Sequence, residues 1–89
     1  MLERELTVSN RLGLHARATA KLVQILSGYR CNVTLAAKGR EVNAKSIMGV
    51  MLLAAGQGTP VIVRIDGEDE LAAMDDLVAL FERRFDEDT

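Results

Sequence analysis

Hydrophobic and polar residues alternate along some stretches of the chain and recur at helical spacing along others. Alternation of apolar and polar positions, typical of strands with one buried face, occurs at residues 2–8, 31–36, 41–44 and 60–66. Apolar residues recur every three or four positions, as in amphipathic helices, at residues 16–27, 47–53 and 71–85. The pattern therefore predicts seven elements in the order β-α-β-β-α-β-α.

The arrangement of these elements follows from their connections. Lys38-Gly39 separates the second and third predicted strands, which indicates a hairpin. With one hairpin and helices between the other strands, an antiparallel sheet covered by helices on one face is the natural arrangement. We therefore predict an α+β fold, an open-faced β-sandwich in which a four-stranded antiparallel sheet carries three helices on one face. Residues 1–89 should form a single domain.

The two longer helices each predict a stripe of core residues. For the first helix the predicted stripe consists of Ala16, Ala20, Val23 and Ser27, widened by Leu22, Ile25 and Leu26. For the last helix it consists of Leu71, Met74, Val78, Phe81 and Phe85. Beyond that helix, residues 86–89 are predicted to be a frayed acidic tail.

Composition narrows the class of protein. Hydrophobic residues make up 48% of the chain, enough for one core layer, and Cys31 is the single cysteine. Because one cysteine cannot form an internal disulfide or a Cys-x-x-Cys pair, we expect Cys31 to be a small buried hydrophobe. Charged residues near the N-terminus and the lack of a long apolar run predict a cytoplasmic protein without signal peptide or membrane contact.

Charge is unevenly distributed. Residues 1–45 carry eight Lys/Arg against three Asp/Glu, whereas residues 46–89 carry three against ten. The basic half contains acids and lacks stacking aromatic residues, so no nucleic-acid partner is expected.

The stretch 10–17 carries the candidate chemistry. His15, the only histidine, follows Gly13 and directly precedes the first predicted helix. The free N–H groups and the dipole of a helix start favour an anion. A neutral imidazole nitrogen beside such a site could accept a phosphoryl group, and Arg17 would stabilise the resulting anion.

Other kinds of site are disfavoured by the residues available. A hydrolytic site needs a nucleophile and base arrangement that one histidine without an obvious partner does not supply. The His and Cys ligands are too few for zinc or iron, and no phosphate-binding loop for ATP occurs. We therefore expect no metal, no cofactor and no enzymatic turnover.

The second predicted helix suggests a binding surface. Ser46 occupies the N-cap position, and a nearly continuous apolar run follows it. If Ile47 and Val50 face the sheet, Met48 and either Met51 or Leu52 must be partly exposed, as suits a surface that accepts several partners. A helix buried entirely in the core is the alternative. The candidate docking residues are Ala16, Ala20, Gln24, Ile47, Met48, Gly49, Met51 and Leu52.

Two motifs resemble those of a known family. Gly13-Leu14-His15-Ala16-Arg17, with Lys45-Ser46-Ile47-Met48-Gly49-Val50 thirty residues on, resembles HPr, the histidine phosphocarrier of the bacterial phosphotransferase system. The resemblance implies the same open-faced sandwich and a phosphoryl acceptor at Nδ1 of His15. The donor would be Enzyme I and the acceptors EIIA-type domains. The chain would act as a monomeric carrier.

The resemblance also implies regulation and marks one departure. In many members of the family the serine matching Ser46 is phosphorylated by HPr kinase/phosphorylase. The usual Pro-Ala after the arginine is here Ala18-Thr19, which removes a rigid residue from the first helical turn. A nitrogen-related regulatory phosphocarrier, suggested by the acidic ending, and a non-phosphorylated ligand-binding or interaction module remain as alternatives.

Overall fold

The computed structural model describes residues 1–88 and contains every predicted strand and helix, followed by a short 3₁₀ turn. The elements are β1 (Leu2–Thr7), α1 (Ala16–Leu26), β2 (Asn32–Ala37), β3 (Arg40–Asn43), α2 (Ile47–Leu52), β4 (Pro60–Asp66), α3 (Glu70–Glu82) and the turn at Arg84–Asp86. The predicted order and the α+β class are confirmed.

The four strands form one antiparallel sheet in the order β1-β4-β2-β3. The central strand β4 buries Val61, Val63 and Ile65 completely and turns Arg64 to the opposite, open face. There Arg64 forms ion pairs with Glu3 at 2.7 Å and with Glu41 at 2.8 Å. The strict two-residue alternation thus separates a dry face, covered by helices, from a charged face.

The core lies between the buried face of the sheet and the three helices. Cys31 lies in this core, as predicted, and burial raises the pKa of its thiol. None of the helices in residues 1–88 has the length and apolar character needed to cross a membrane.

The predicted stripe of α1 is wrong in its orientation. Ala16, Ala20 and Ser27 are exposed and Val23 is half-buried. Leu22 and Leu26 are buried, as predicted, but the other buried residues of the helix are Ala18 and Thr19. Apolar residues occur on several sides of this helix, so spacing alone allowed more than one orientation. Small residues at the start of the buried stripe let the helix approach its neighbours closely.

The stripe of α3 also requires correction. Leu71 is exposed and Val78 is half-buried, whereas Ala73, Met74, Leu77, Leu80 and Phe81 are buried. Phe85 is fully buried as predicted but lies in the 3₁₀ turn, since the helix ends at Glu82. The chain therefore folds back onto the core after α3.

Candidate functional site

The loop before α1 is held against the segment that follows α2. Gly13 has φ of +71°, and a Cβ placed on it would lie 2.5 Å from the carbonyl oxygen of Ala55. The next N–H, that of Leu14, donates to the same carbonyl at 2.9 Å. Both the backbone conformation and the close approach require glycine here, so this glycine fixes the entry of the chain into α1.

His15 is the N-cap residue of α1. Its carbonyl oxygen accepts the first intrahelical hydrogen bond, from the Thr19 N–H at 2.9 Å, and its side chain makes no capping bond. The N–H groups of the first helical turn, at residues 16–18, therefore have no acceptor within the helix. This open helix start, with its positive dipole end, lies beside the imidazole ring.

The imidazole ring contacts a carboxylate from the far end of the chain. Nε2 of His15 lies 2.6 Å from Oε2 of Glu87, and the two side chains are only 28% and 13% exposed. The other carboxylate oxygen, Oε1, accepts a hydrogen bond at 3.1 Å from Nδ2 of Asn10, which is completely buried. Asn10 Nδ2 also donates to the Gly13 carbonyl at 2.8 Å, so one amide joins the loop to the C-terminal segment.

The protonation of Glu87 reflects these contacts. Burial raises the pKa of its carboxyl group. The hydrogen bonds from Asn10 and His15 oppose the effect of burial, and the positive charge of Arg17 adds to them, so the pKa of Glu87 lies below its ordinary value. The group facing Nε2 at neutral pH is therefore a carboxylate.

The predicted frayed tail is wrong for residues 86 and 87, and its last residue, Thr89, lies outside the described residues. Phe85 anchors the segment in the core, and the Lys21 ammonium donates to its carbonyl at 2.9 Å. Asp86 accepts from Arg83 at 2.7 Å. Residues 84–86 all have positive φ, between 56° and 62°, which turns the chain toward His15. We call residues 84–87 the C-terminal strap.

Arg17 lies on the first turn of α1, where the sequence predicted it. It lines the same shallow cleft as His15, Lys21 and Glu87. Within residues 1–88 its guanidinium forms no ion pair, whereas Lys21 is joined to the strap. The cleft therefore combines the His15 imidazole, the free N–H groups at the start of α1 and the Arg17 guanidinium, which has no ion-pair partner within residues 1–88.

Comparison with known proteins shows the family of this chain. The family model described as the PTS HPr component phosphorylation site matches residues 2–83. The chain belongs to the HPr family, the phosphocarrier proteins of the phosphotransferase system. It is 73% identical to the phosphocarrier protein HPr of Xylella fastidiosa strain Temecula1, and the match covers 100% of both chains.

Solved HPr structures share the fold. HPr from Thermoanaerobacter tengcongensis superposes with a TM-score of 0.96 at 39% identity over 100% of both chains. HPr from Bacillus anthracis gives 0.86 at 35% identity, covering 90% of this chain and 95% of the other. Both the predicted resemblance and the open-faced sandwich are thus confirmed.

The departure from the usual HPr motif at Ala18-Thr19 is accommodated in the core. Both residues are fully buried, and the Thr19 hydroxyl donates to the Leu14 carbonyl at 3.2 Å. This bond joins the first turn of α1 to the loop before His15. In the usual motif, a proline restricts the backbone of the first helical turn. In this chain a hydrogen bond joins that turn to the loop before His15 instead.

The second HPr-like motif forms α2 and its cap. Ser46 Oγ accepts from the Gly49 N–H at 3.1 Å, the N-cap contact predicted from the sequence. A Cβ on Gly49 would meet Ser46 Cβ and Oγ at 3.3 Å, so Gly49 packs closely against the N-cap residue of its own helix.

The exposed side of α2 is larger than predicted. Val50 and Leu53 are buried, whereas Ile47, expected to face the sheet, is 47% exposed. Met48 is 76% exposed, and Met51 and Leu52 are also exposed. Ala16, Ala20 and Gln24 are exposed on α1, which packs beside α2. The alternative of a wholly buried helix is wrong.

The sequence did not single out three side chains that lie near His15: Asn10, Leu12 and Glu87. Leu12 is exposed at the same cleft. In the sequence, the only indication of this group was Leu12, an apolar residue within a polar loop. Within residues 1–88, no three or more His, Cys, Asp and Glu side chains are grouped so as to hold a metal ion.

Proposed function

We propose that His15 accepts a phosphoryl group from phosphorylated Enzyme I and passes it to EIIA-type domains. The observation that carries this proposal is the position of His15 as the N-cap residue of α1, with a side chain that makes no capping hydrogen bond. A phosphoryl group on Nδ1 would add negative charge at the open helix start, where N–H groups and the helix dipole favour anions. The Arg17 guanidinium, unpaired within residues 1–88, supplies a charge-assisted hydrogen bond.

The test is phosphorylation of the wild-type protein with Enzyme I and phosphoenolpyruvate. The product should carry one phosphoryl group, labile in acid and stable in base, and peptide mapping should locate it on His15. Labelling elsewhere, or none, would support a ligand-binding or interaction module instead. The relatives are named HPr, and this name favours an HPr over a nitrogen-related regulatory phosphocarrier.

Within the cell, the carrier would act in the cytoplasm and as a monomer. Enzyme I and the EIIA-type domains supply and receive the phosphoryl group, so the carrier must dissociate from each in turn. Light scattering at the assay concentration should therefore give the mass of one chain, and the mass of two would contradict a monomer.

The exposed residues of α1 and α2 form the proposed docking surface. Its residues are Ala16, Ala20, Gln24, Ile47, Met48, Gly49, Met51 and Leu52. Isolated apolar side chains on a surface are common, but four large ones on one six-residue helix are not. Flexible methionine side chains adapt to differently shaped partners, as a carrier with a donor and an acceptor needs.

Met48→Glu should slow phosphoryl transfer from Enzyme I by about tenfold or more, because a charge would be buried when the partner docks. Its free energy of unfolding should change by less than about 1 kcal/mol, because the side chain is 76% exposed. Transfer rates and melting curves are measured on the same preparation.

Leu71→Glu is the matched control for Met48→Glu. Leu71 is 66% exposed but belongs to α3, which contributes no residue to the proposed docking surface. This variant should transfer at the wild-type rate. A large loss of stability in Met48→Glu with unimpaired transfer would show that Met48 serves the core instead.

Ser46 is proposed as a second, regulatory phosphorylation site, used by an HPr kinase/phosphorylase. Its hydroxyl caps α2 and lies next to the docking surface. Phosphate at this N-cap would add about −1.5 to −2 charge beside the positive helix end, so it should preserve the fold. Any regulatory effect must then arise where partners bind.

Ser46→Asp should lower the rate of His15 phosphorylation by Enzyme I without lowering the melting temperature. Aspartate still caps the helix but adds a charge at the edge of the docking surface. Ser46→Asn is the control, because asparagine has nearly the same shape and is also a good cap. Equal rates for the two variants would reduce Ser46 to a helix cap.

A further inference from the structure

We propose that Glu87 is a positioning residue for phosphoryl transfer: its carboxylate keeps the proton of His15 on Nε2 and so presents the lone pair of Nδ1 to the donor. This inference rests on the proposed function and adds a residue to it. Glu87 belongs to the C-terminal strap, which nothing in the local sequence connects to His15.

The first argument is the chemistry of the contact. An ionised carboxylate has only acceptor oxygens, so a nitrogen 2.6 Å from Oε2 must carry the hydrogen that they share. In a neutral ring the second nitrogen, Nδ1, then holds the free lone pair. Within residues 1–88, Nδ1 has no hydrogen-bond partner, so that lone pair is free to react.

The second argument is that the carboxylate is held in place. Asn10, fully buried, donates to Oε1 of Glu87. Phe85, with no exposed surface, anchors the strap two residues earlier, and Lys21 donates to its carbonyl. A partner fixed in this way restrains both the tautomer and the orientation of the ring, as the partners of metal-bound histidines do.

The third argument comes from the transfer step. The lone pair of Nδ1 attacks the phosphorus, the new N–P bond forms, and the donor's bond to phosphorus breaks with its electron pair leaving on the donor. The His15 ring keeps its proton on Nε2 and gains positive charge in this step. A carboxylate at Nε2 stabilises that charge without removing the proton. Glu87 thus fixes the tautomer of His15 in the free carrier and stabilises the positive charge of the ring in the phosphorylated carrier.

The direct test is the tautomer of the ring, measured by ¹⁵N NMR of histidine-labelled protein at a pH where the ring is neutral. In the wild type the proton should reside on Nε2. In Glu87→Ala both tautomers should be populated. Asp88→Ala is the matched control, because it removes one negative charge from the adjacent residue and leaves the Nε2 contact intact. It should behave like the wild type.

The second readout is the rate of phosphorylation by Enzyme I. Glu87→Ala should be slower by about tenfold, the lower end of the losses seen when a group that orients a metal-bound histidine is removed. Glu87→Gln loses the charge and has one acceptor oxygen where Glu87 uses two, for Asn10 and His15, so it should transfer more slowly than the wild type whichever way its amide is oriented. Asp88→Ala should transfer at the wild-type rate.

The result that overturns the inference is a Glu87→Ala protein with the wild-type tautomer and rate. Glu87→Gln keeps the proposal testable even if alanine loosens the strap, because its side chain has nearly the same size. A Glu87→Gln protein that transfers at the wild-type rate would overturn it equally. Failure of the proposed function is seen separately, since the wild-type protein itself would then remain unphosphorylated.

Discussion

His15→Ala is expected to abolish phosphorylation by Enzyme I and phosphoenolpyruvate completely. The chain contains no other histidine, so no second imidazole can take the phosphoryl group. The side chain does not cap α1, and its recorded side-chain hydrogen bond is to Glu87. Its removal should therefore change the free energy of unfolding by no more than about 1 kcal/mol.

The two measurements, labelling and melting, must be made together. Loss of labelling with an intact melting transition assigns the reaction to the imidazole rather than to the fold. Residual label that is stable in acid would reveal phosphorylation of a hydroxyl group, for example at Ser46, and would not count against His15. Acid-labile label at the wild-type level in His15→Ala would overturn the carrier hypothesis.

The parts of the fold that the sequence predicts well are those fixed by local pattern. Strand alternation has a period of two, so one alternating run leaves a single choice of buried face, and β4 buries the face predicted for it. The N-cap at Ser46 and the loop–histidine–helix junction are also local, because each lies within a few residues. All three could be predicted without any knowledge of tertiary contacts.

Helix orientation was less predictable for a physical reason. Apolar residues of α1 lie on several sides, and alanine fits either a core or a surface. Leu71 matches the apolar spacing of α3 yet is exposed on the first turn of that helix. Burial at such positions depends on which neighbour the helix packs against, and the spacing holds no information about the neighbour.

The C-terminal strap could not be predicted from any local pattern in the sequence. Glu87 and His15 are 72 positions apart in the chain, and acidic residues near a terminus are normally solvated. Only the burial of Phe85, together with the positive φ of residues 84–86, brings the carboxylate back to the ring. The buried Phe85 side chain thus makes Glu87, which the sequence places in an acidic tail, part of the candidate site.

Gly13→Ala is expected to destabilise the protein strongly, by roughly 2–4 kcal/mol. Two effects combine. An alanine at φ of +71° adopts a left-handed conformation that costs about 1–2 kcal/mol. Its Cβ would also lie 2.5 Å from the Ala55 carbonyl oxygen and 2.7 Å from the Gly56 Cα, and backbone atoms cannot move aside as a flexible side chain can. The melting temperature should fall by roughly 10–20 °C.

Gly39→Ala separates the two effects. Gly39 has nearly the same backbone angle, φ of +77°, but a Cβ there would meet no atom within 4 Å. This variant should therefore show the conformational cost alone, about 1 kcal/mol after the loss of unfolded-state entropy is included. The difference in unfolding free energy between the two variants measures how tightly the His15 loop is held against residues 55 and 56. Equal losses in the two variants would mean that the loop can shift away from these residues, and the fixed entry into α1 described above would then be wrong.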